Sequence, residues 1–269
     1  MIKREIEING KTLRISTGQV AKQAAGSVLV SYGETTIIAA VNAAKEMRED
    51  IGYFPLQVEY RERHYAGGKI PGGFFKREAR PAEREILTCR LTDRPIRPLF
   101  PKSFKYETQV IITVLSTDGE NPADVLAGVG ASAALMISNI PWNGPIATVR
   151  VARVDDNFIV NPTKEEMEDS SLELVVSGNS ETIVMVEGEA DVIPENVFVD
   201  ALKFAHEDIK KIIALQEEIV AEVKPEKREI PEEESNKDLA VAVEKSLDAE
   251  VERIIQIGDK QERETATKE

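Results

Sequence analysis

The sequence predicts an α+β fold, and three observations carry that prediction. Short alternating apolar runs separated by turn residues open the chain, and a second group of such runs lies between 146 and 186. A segment dense in Ala, Gly and Ser separates the two groups. After Pro194 the apolar spacing changes from two to three and four, the period of a helix.

Taken in order, residues 3–8 alternate as a strand, Asn9-Gly10 supplies a tight turn, and 11–17 alternate back. Residues 27–32 and 35–42 form a second pair around Gly33-Glu34, and the run 36–41 predicts a strand buried on both faces. Residues 56–62 are a further strand. A helix is expected from about 80 to 93, with Pro81 in its first turn, Glu83 and Glu85 at its positive end, and Pro95 stopping it. Ile86, Leu87, Cys89 and Leu91 define its apolar arc, and Arg90 projects inside that arc toward an internal partner. Residues 106–116 are a strand. Asn121-Pro122 starts a small-residue helix that runs to 138 and can pack closely on a sheet.

Four strands follow, at 146–154, 158–160, 172–176 and 182–186, with Gly178-Asn179 as a turn. A long helix is expected over 195–222, then a charged connector over 224–237, a weakly apolar helix over 238–257, and a polar tail from 260.

The chain has 269 residues and a net charge of -14, enough for one large or two modest domains. Cys89 is the single cysteine and can form no internal disulfide, which fits a reducing compartment. No apolar run approaches a membrane span and no signal peptide is evident, so a cytoplasmic protein is expected, without membrane contact. Such an acidic chain is not expected to coat nucleic acid with its whole surface. Any contact must be local.

One stretch meets that requirement, residues 67–101, GGKIPGGFFKREARPAEREILTCRLTDRPIRPLFP. Between Arg61 and Phe100, ten Lys and Arg stand against five Asp and Glu, a net of +5. Phe74 and Phe75 sit on an arc framed by Gly67, Gly68, Gly72 and Gly73. One reading makes the two rings a stacking platform for unpaired bases, with Lys76, Arg77 and Arg80 on the phosphates. The other tucks both rings under the loop as a small satellite core. Arg94 and Arg97 fit further phosphate contacts or internal ion pairs that fix the loop. His64 and His206 have no partners spaced for catalysis, and Cys89 reads as a small core residue. The Asn121 helix start is crowded by Asp118, Glu120 and Asp124, which would repel a phosphate. Asp155-Asp156 and Glu165-Glu166 read as solvated turns rather than metal ligands, and no catalytic site is identified.

The basic stretch closely resembles the signature of bacterial polynucleotide phosphorylase, and the opening hairpins and STDGENPADVLAGVGASAAL are similar too. The resemblance implies a first RNase PH-like domain over 1–193, followed by an all-helical linker domain, truncated, over 194–269. It implies phosphate-dependent 3′–5′ RNA degradation, with nucleoside diphosphate release, inorganic phosphate as co-substrate and Mg as the metal. In that family the phosphate and metal sites belong to a second RNase PH-like domain, so no catalytic and no metal residue is expected in this chain. Single-stranded RNA is the implied partner, with a homotrimer, degradosome-type partners and no DNA. The family's Phe-Phe-Arg-Arg loop grips RNA at a channel entrance and reads Phe74-Phe75-Lys76-Arg77 here; Lys76 keeps the charge without the two-point geometry of Arg. Two other readings stay open. The chain is a stand-alone RNA-binding module, or the basic stretch is an interface for an acidic partner or a second copy.

Overall fold

A computed structural model describes residues 1–47, 51–74, 76–78, 80–230 and 237–268, in two compact units, Met1–Ile230 and Pro231–Glu269. In the first unit, Asn9 and Gly10 both take positive φ (47° and 68°), and this tight turn joins β1 (Ile2–Ile8) to β2 (Lys11–Thr17) in a two-residue hairpin. β3 (Gly26–Tyr32) and β4 (Thr35–Met47) continue the antiparallel sheet, and β6 (Tyr106–Ser116) pairs with β4. β5 (Leu56–Glu62) then joins β6 in parallel, giving the order β1-β2-β3-β4-β6-β5. A parallel edge needs a crossover, and the basic stretch supplies it.

The second sheet is antiparallel, in the order β10-β9-β7-β8, from β7 (Ala147–Val154), β8 (Asn157–Val160), β9 (Leu172–Gly178) and β10 (Ile183–Ala190). Between the two sheets lies α2 (Asp124–Ile137), which packs on β3 and β4 on one side and β7 on the other. Its small residues permit that fit. A Cβ at Gly128 would stand 2.3 Å from Thr148 Oγ1, and one at Gly26 would stand 2.3 Å from the Ala134 carbonyl. β4 is fully buried on the Thr35, Ile37, Ala39 and Val41 face only; Thr36, Ile38 and Ala40 are half-covered, because α2 shields a single side. The expected burial on both faces is thus corrected to one.

α4 (Glu195–Val223) lies along β1, β7 and α2, and its Ala201, Ala205, Ile209, Ile212, Ile213, Leu215 and Ile219 enter the common core. Ser132 Oγ donates to Gln216 Oε1 (2.7 Å), Gln216 Nε2 to the Ile146 carbonyl (2.8 Å), and the Ile146 N–H back to Ser132 (3.0 Å), a closed ring of buried bonds joining α2, α4 and the approach to β7. The compact first unit runs on to Ile230, since the long helix shares its core and cannot leave it without exposing that face.

Glu165-Glu166, expected as a turn, belong to the short helix α3 (Lys164–Glu168), where Thr163 and Glu166 cap each other through Thr163 N–H (2.7 Å) and Glu166 N–H (3.3 Å). In the second unit, α5 (Lys237–Ile255) shows Leu239, Val243, Leu247, Val251 and Ile255 at the surface. The expected polar tail is instead a helix, α6 (Lys260–Lys268). Asp259 Oδ1 starts it by accepting from the N–H groups of Gln261 and Glu262, both at 2.9 Å.

Candidate nucleic-acid interface

β5 delivers the chain into one 3₁₀ turn, His64–Gly67, then the glycine-framed arc, then α1 (Glu83–Ile96). Each end of the arc is tied down by a carboxylate. Glu78 accepts from the His64 N–H (2.6 Å), Arg63 Nη1 (2.9 Å) and faces His64 Nδ1 at 2.9 Å. Glu85, buried on α1, accepts from the Ala82 N–H (2.6 Å) and the Glu62 N–H (2.8 Å), so it caps the helix and holds the end of β5 together. The bond from the His64 N–H, with those from Arg63 and the His64 ring, holds the Glu78 carboxyl down at about 2.

Between these anchors Phe74 is 94% exposed, and Gly73 and Lys76 take positive φ of 77° and 47°. Phe75 lies outside the described residues. Lys76, Arg77 and Arg80 are exposed and, among the described residues, enter no ion pair. The inward-tucked alternative does not hold for Phe74.

Arg94 and Arg97 are placed differently. Arg94 Nη1 pairs with Glu187 on β10, with about half of each side chain exposed. Arg97 donates Nε and Nη2 to Asp93 (2.8 and 2.7 Å) and Nη1 and Nη2 to the carbonyls of Phe54 and Leu56 (3.0 and 3.1 Å). Its guanidinium also stands 5.9 Å from the Phe54 ring, which packs on Phe100 with centroids 4.5 Å apart. Of the two sequence alternatives for Arg97, the internal one holds. It ties α1 to the approach of β5.

α1 itself corrects three expectations. It runs through Pro95, because a proline in the last turn forfeits only one late hydrogen bond, and Arg97 N–H still reaches the Asp93 carbonyl. Its buried positions are Glu85, Thr88, Thr92, Pro95 and Ile96, while Ile86 and Leu87 are each 49% exposed. Short side chains suit the close approach to β5 and α2, and the larger ones turn outward. Arg90, expected to pair internally, is exposed and makes no ion pair among the described residues. Cys89 is half-buried, its sulfur accepts from the Tyr60 N–H (3.2 Å), and burial raises its thiol pKa. The sequence carried no signal for the role of Glu78.

Beside the arc, Arg63, His64, Lys69, Arg84 and Lys164 line a cleft of about 550 Å³ that reaches Asp118 and Asn121. Asn121 does not cap α2. It is locked to Asp118 (2.6 Å) and Lys11 (2.7 Å), and the helix begins at Asp124. Asp118 also accepts from the N–H groups of Asn121 (2.8 Å), Glu120 (3.0 Å) and Glu34 (3.2 Å) and from Thr35 Oγ1 (3.0 Å). Five donors leave that carboxylate no open face for a cation, and no group of three acidic, His or Cys side chains suited to a metal occurs among the described residues. The described residues do not fit a magnesium site. No helix among them is long and apolar enough to cross a membrane.

Comparison with known proteins decides the family. The profile of the 3′ exoribonuclease family, domain 1, matches residues 9–141, and that of domain 2 of the same family matches 144–208, past the start of α4. The chain belongs to the 3′ exoribonuclease family. Among curated members it is 49% identical to the polyribonucleotide nucleotidyltransferase of Heliobacterium modesticaldum, over 96% of this chain and 36% of that protein. To the enzyme of the same name from Thermus thermophilus it is 47% identical, over 98% and 37%. It therefore spans little more than a third of the relatives' length. The architecture is similar to an archaeal exosome core (TM-score 0.58, 20% identity, 76% of this chain and 86% of that one), which supports the RNase PH-like α+β fold of this 3′ exoribonuclease family member.

Proposed function

We propose that this chain is the RNA-guiding first part of a polyribonucleotide nucleotidyltransferase, a phosphate-dependent 3′–5′ exoribonuclease. The observation that carries this is the exposed Phe74 on an anchored arc, flanked by Lys76, Arg77 and Arg80, which enter no ion pair among the described residues. A ring held in water can stack on any base, and cations beside it meet the phosphates on either side. Phe75, outside the described residues, is assigned to the same role from its place in the sequence, whereas Arg94, paired with Glu187, and Arg97 serve the scaffold. Phosphorolysis, with its magnesium and inorganic phosphate, takes place on residues outside this chain. In the whole protein three copies surround the RNA. The exposed Ile86 and Leu87 on α1 favour an additional role for that face in assembly, with RNA-degrading partners recruited by the finished particle.

Fluorescence anisotropy with a labelled oligo(A) tests the reading. Phe74→Ala and Arg77→Ala should each weaken binding at least about fivefold, since one base stack is worth about 1–3 kcal/mol. The logarithm of the association constant should fall linearly with the logarithm of salt concentration. Unchanged affinity in both variants would remove the loop from the RNA path. Incubation of the chain with poly(A), phosphate and magnesium should release no ADP.

A further inference from the structure

We propose that Glu78 is the positioning residue of the RNA-gripping arc, an assignment that rests on the reading of that arc given above. It is the one acidic residue between Lys69 and Arg80, among Lys69, Lys76, Arg77 and Arg80. On charge alone it opposes a polyanion. Its geometry serves a different end, because all three of its bonds run back to Arg63 and His64 at the foot of the arc. That foot is itself fixed to the sheet. The Ala66 carbonyl accepts from the Thr117 N–H (3.1 Å), just past the end of β6.

The chain between foot and latch turns through left-handed Gly73 and Lys76, so Glu78 sits where the arc comes back against its own base. Closing the arc there fixes where Lys76 and Arg77 stand before RNA arrives. The ordering cost of the loop is then met in folding and not in binding. Glu78 touches no RNA in this scheme, and it acts through its neighbours.

The two accounts of Glu78 differ in sign, which makes them separable. If the carboxylate acts only as a negative charge in a basic patch, removing it strengthens RNA binding. If it positions the arc, removing it weakens binding. In the oligo(A) anisotropy assay, Glu78→Ala should bind about fivefold or more weakly. Glu78→Gln, whose amide oxygen can still accept from the His64 N–H, should fall between Ala and the parent.

Hydrogen exchange separates this from general damage. The His64 amide should lose protection in Glu78→Ala, with faster exchange confined to about residues 63–80. The His64 ring signals should shift while those of His206, the only other histidine, stay in place. RNA affinity equal to or above the parent's, with the His64 amide deprotected, overturns the proposal. So does loss of protection across the whole first unit. If Phe74→Ala and Arg77→Ala leave affinity unchanged in the same assay, the RNA reading of the arc fails and the Glu78 assignment falls with it.

Discussion

Arg97 reaches back one helical turn and holds Asp93 with two nitrogens, at 2.8 and 2.7 Å. The same guanidinium closes on the carbonyls of Phe54 and Leu56, 43 and 41 residues earlier. An ion pair with a side chain 41% exposed contributes little by itself. The bonds to two backbone carbonyls and the contact with Phe54 add more. Arg97→Ala should therefore lower the unfolding free energy by about 1–3 kcal/mol in a denaturant titration. RNA affinity of the folded variant should match the parent, whereas loss of binding at unchanged stability would return Arg97 to the RNA path.

Arg150 lies deeper. Its guanidinium joins Asp124, the first residue of α2, at 2.7 Å and also pairs with Glu173 on β9, while its Nε has no partner among the described residues. Both Arg150 and Asp124 side chains are about nine-tenths covered, and removing Asp124 leaves the guanidinium with Glu173 as its remaining carboxylate among the described residues. Asp124→Ala should cost about 1.5–3 kcal/mol, the loss of one buried bond between charged groups. Adding Arg150→Met to that variant should recover part of the loss, and a thermodynamic cycle of the three variants measures the coupling. Simple additivity would show that the pair is not linked.

These two arginines mark the limit of what the sequence discloses. The Asn9-Gly10 hairpin was legible because its positive φ values are a local demand that few residues satisfy. Strands 56–62 and 106–116 were legible from alternation, but their parallel pairing was not, since nothing local records it. The face of α1 was misjudged because Thr88 and Thr92 fill the close gap to β5 and α2 while Ile86 and Leu87 point out. In the candidate site, the exposure of Phe74, Lys76, Arg77 and Arg80 follows from their glycine frame. Which arginines the scaffold consumes was not legible, because the partners of Arg94 and Arg97 lie far along the chain.

Asp118 predicts an acid response. Burial pushes its carboxyl upward, but the Asn121 N–H, the Asn121 side-chain amide, the Glu120 N–H and Thr35 Oγ1 outweigh that and bring it to about 2, against an ordinary 3.8. A carboxylate depressed on folding stabilises the fold above its unfolded pKa, and that contribution disappears as pH falls through the folded value. Melting temperature should thus drop between about pH 4 and pH 2, a window that Glu78 shares. In Asp118→Asn the drop should be shallower, with a lower starting value near neutrality. An identical slope in parent and variant would exclude Asp118 as a source.

Lys227 closes the first unit as a strap. Its ammonium shares its three protons among the carbonyls of Leu135 (3.0 Å), Met136 (2.9 Å), Ser138 (3.0 Å) and Ile140 (3.0 Å), at and just past the end of α2. Next to it, the Arg228 N–H reaches the Asn139 carbonyl (2.8 Å), and Arg228 Nη1 reaches the Ala44 carbonyl (2.8 Å) with the guanidinium 5.8 Å from the Tyr106 ring. Lys227→Met keeps the aliphatic stem and removes the charge and all three protons, so the Met136, Ser138 and Ile140 carbonyls lose this donor while Leu135 keeps its bonds from Ser138. Unfolding free energy should fall by about 1–3 kcal/mol. Amide exchange should quicken over residues 224–230 and at the end of α2, with the sheets unaffected. Lys227→Arg should not restore the parent value, because a flat fork cannot address four carbonyls that converge on one point.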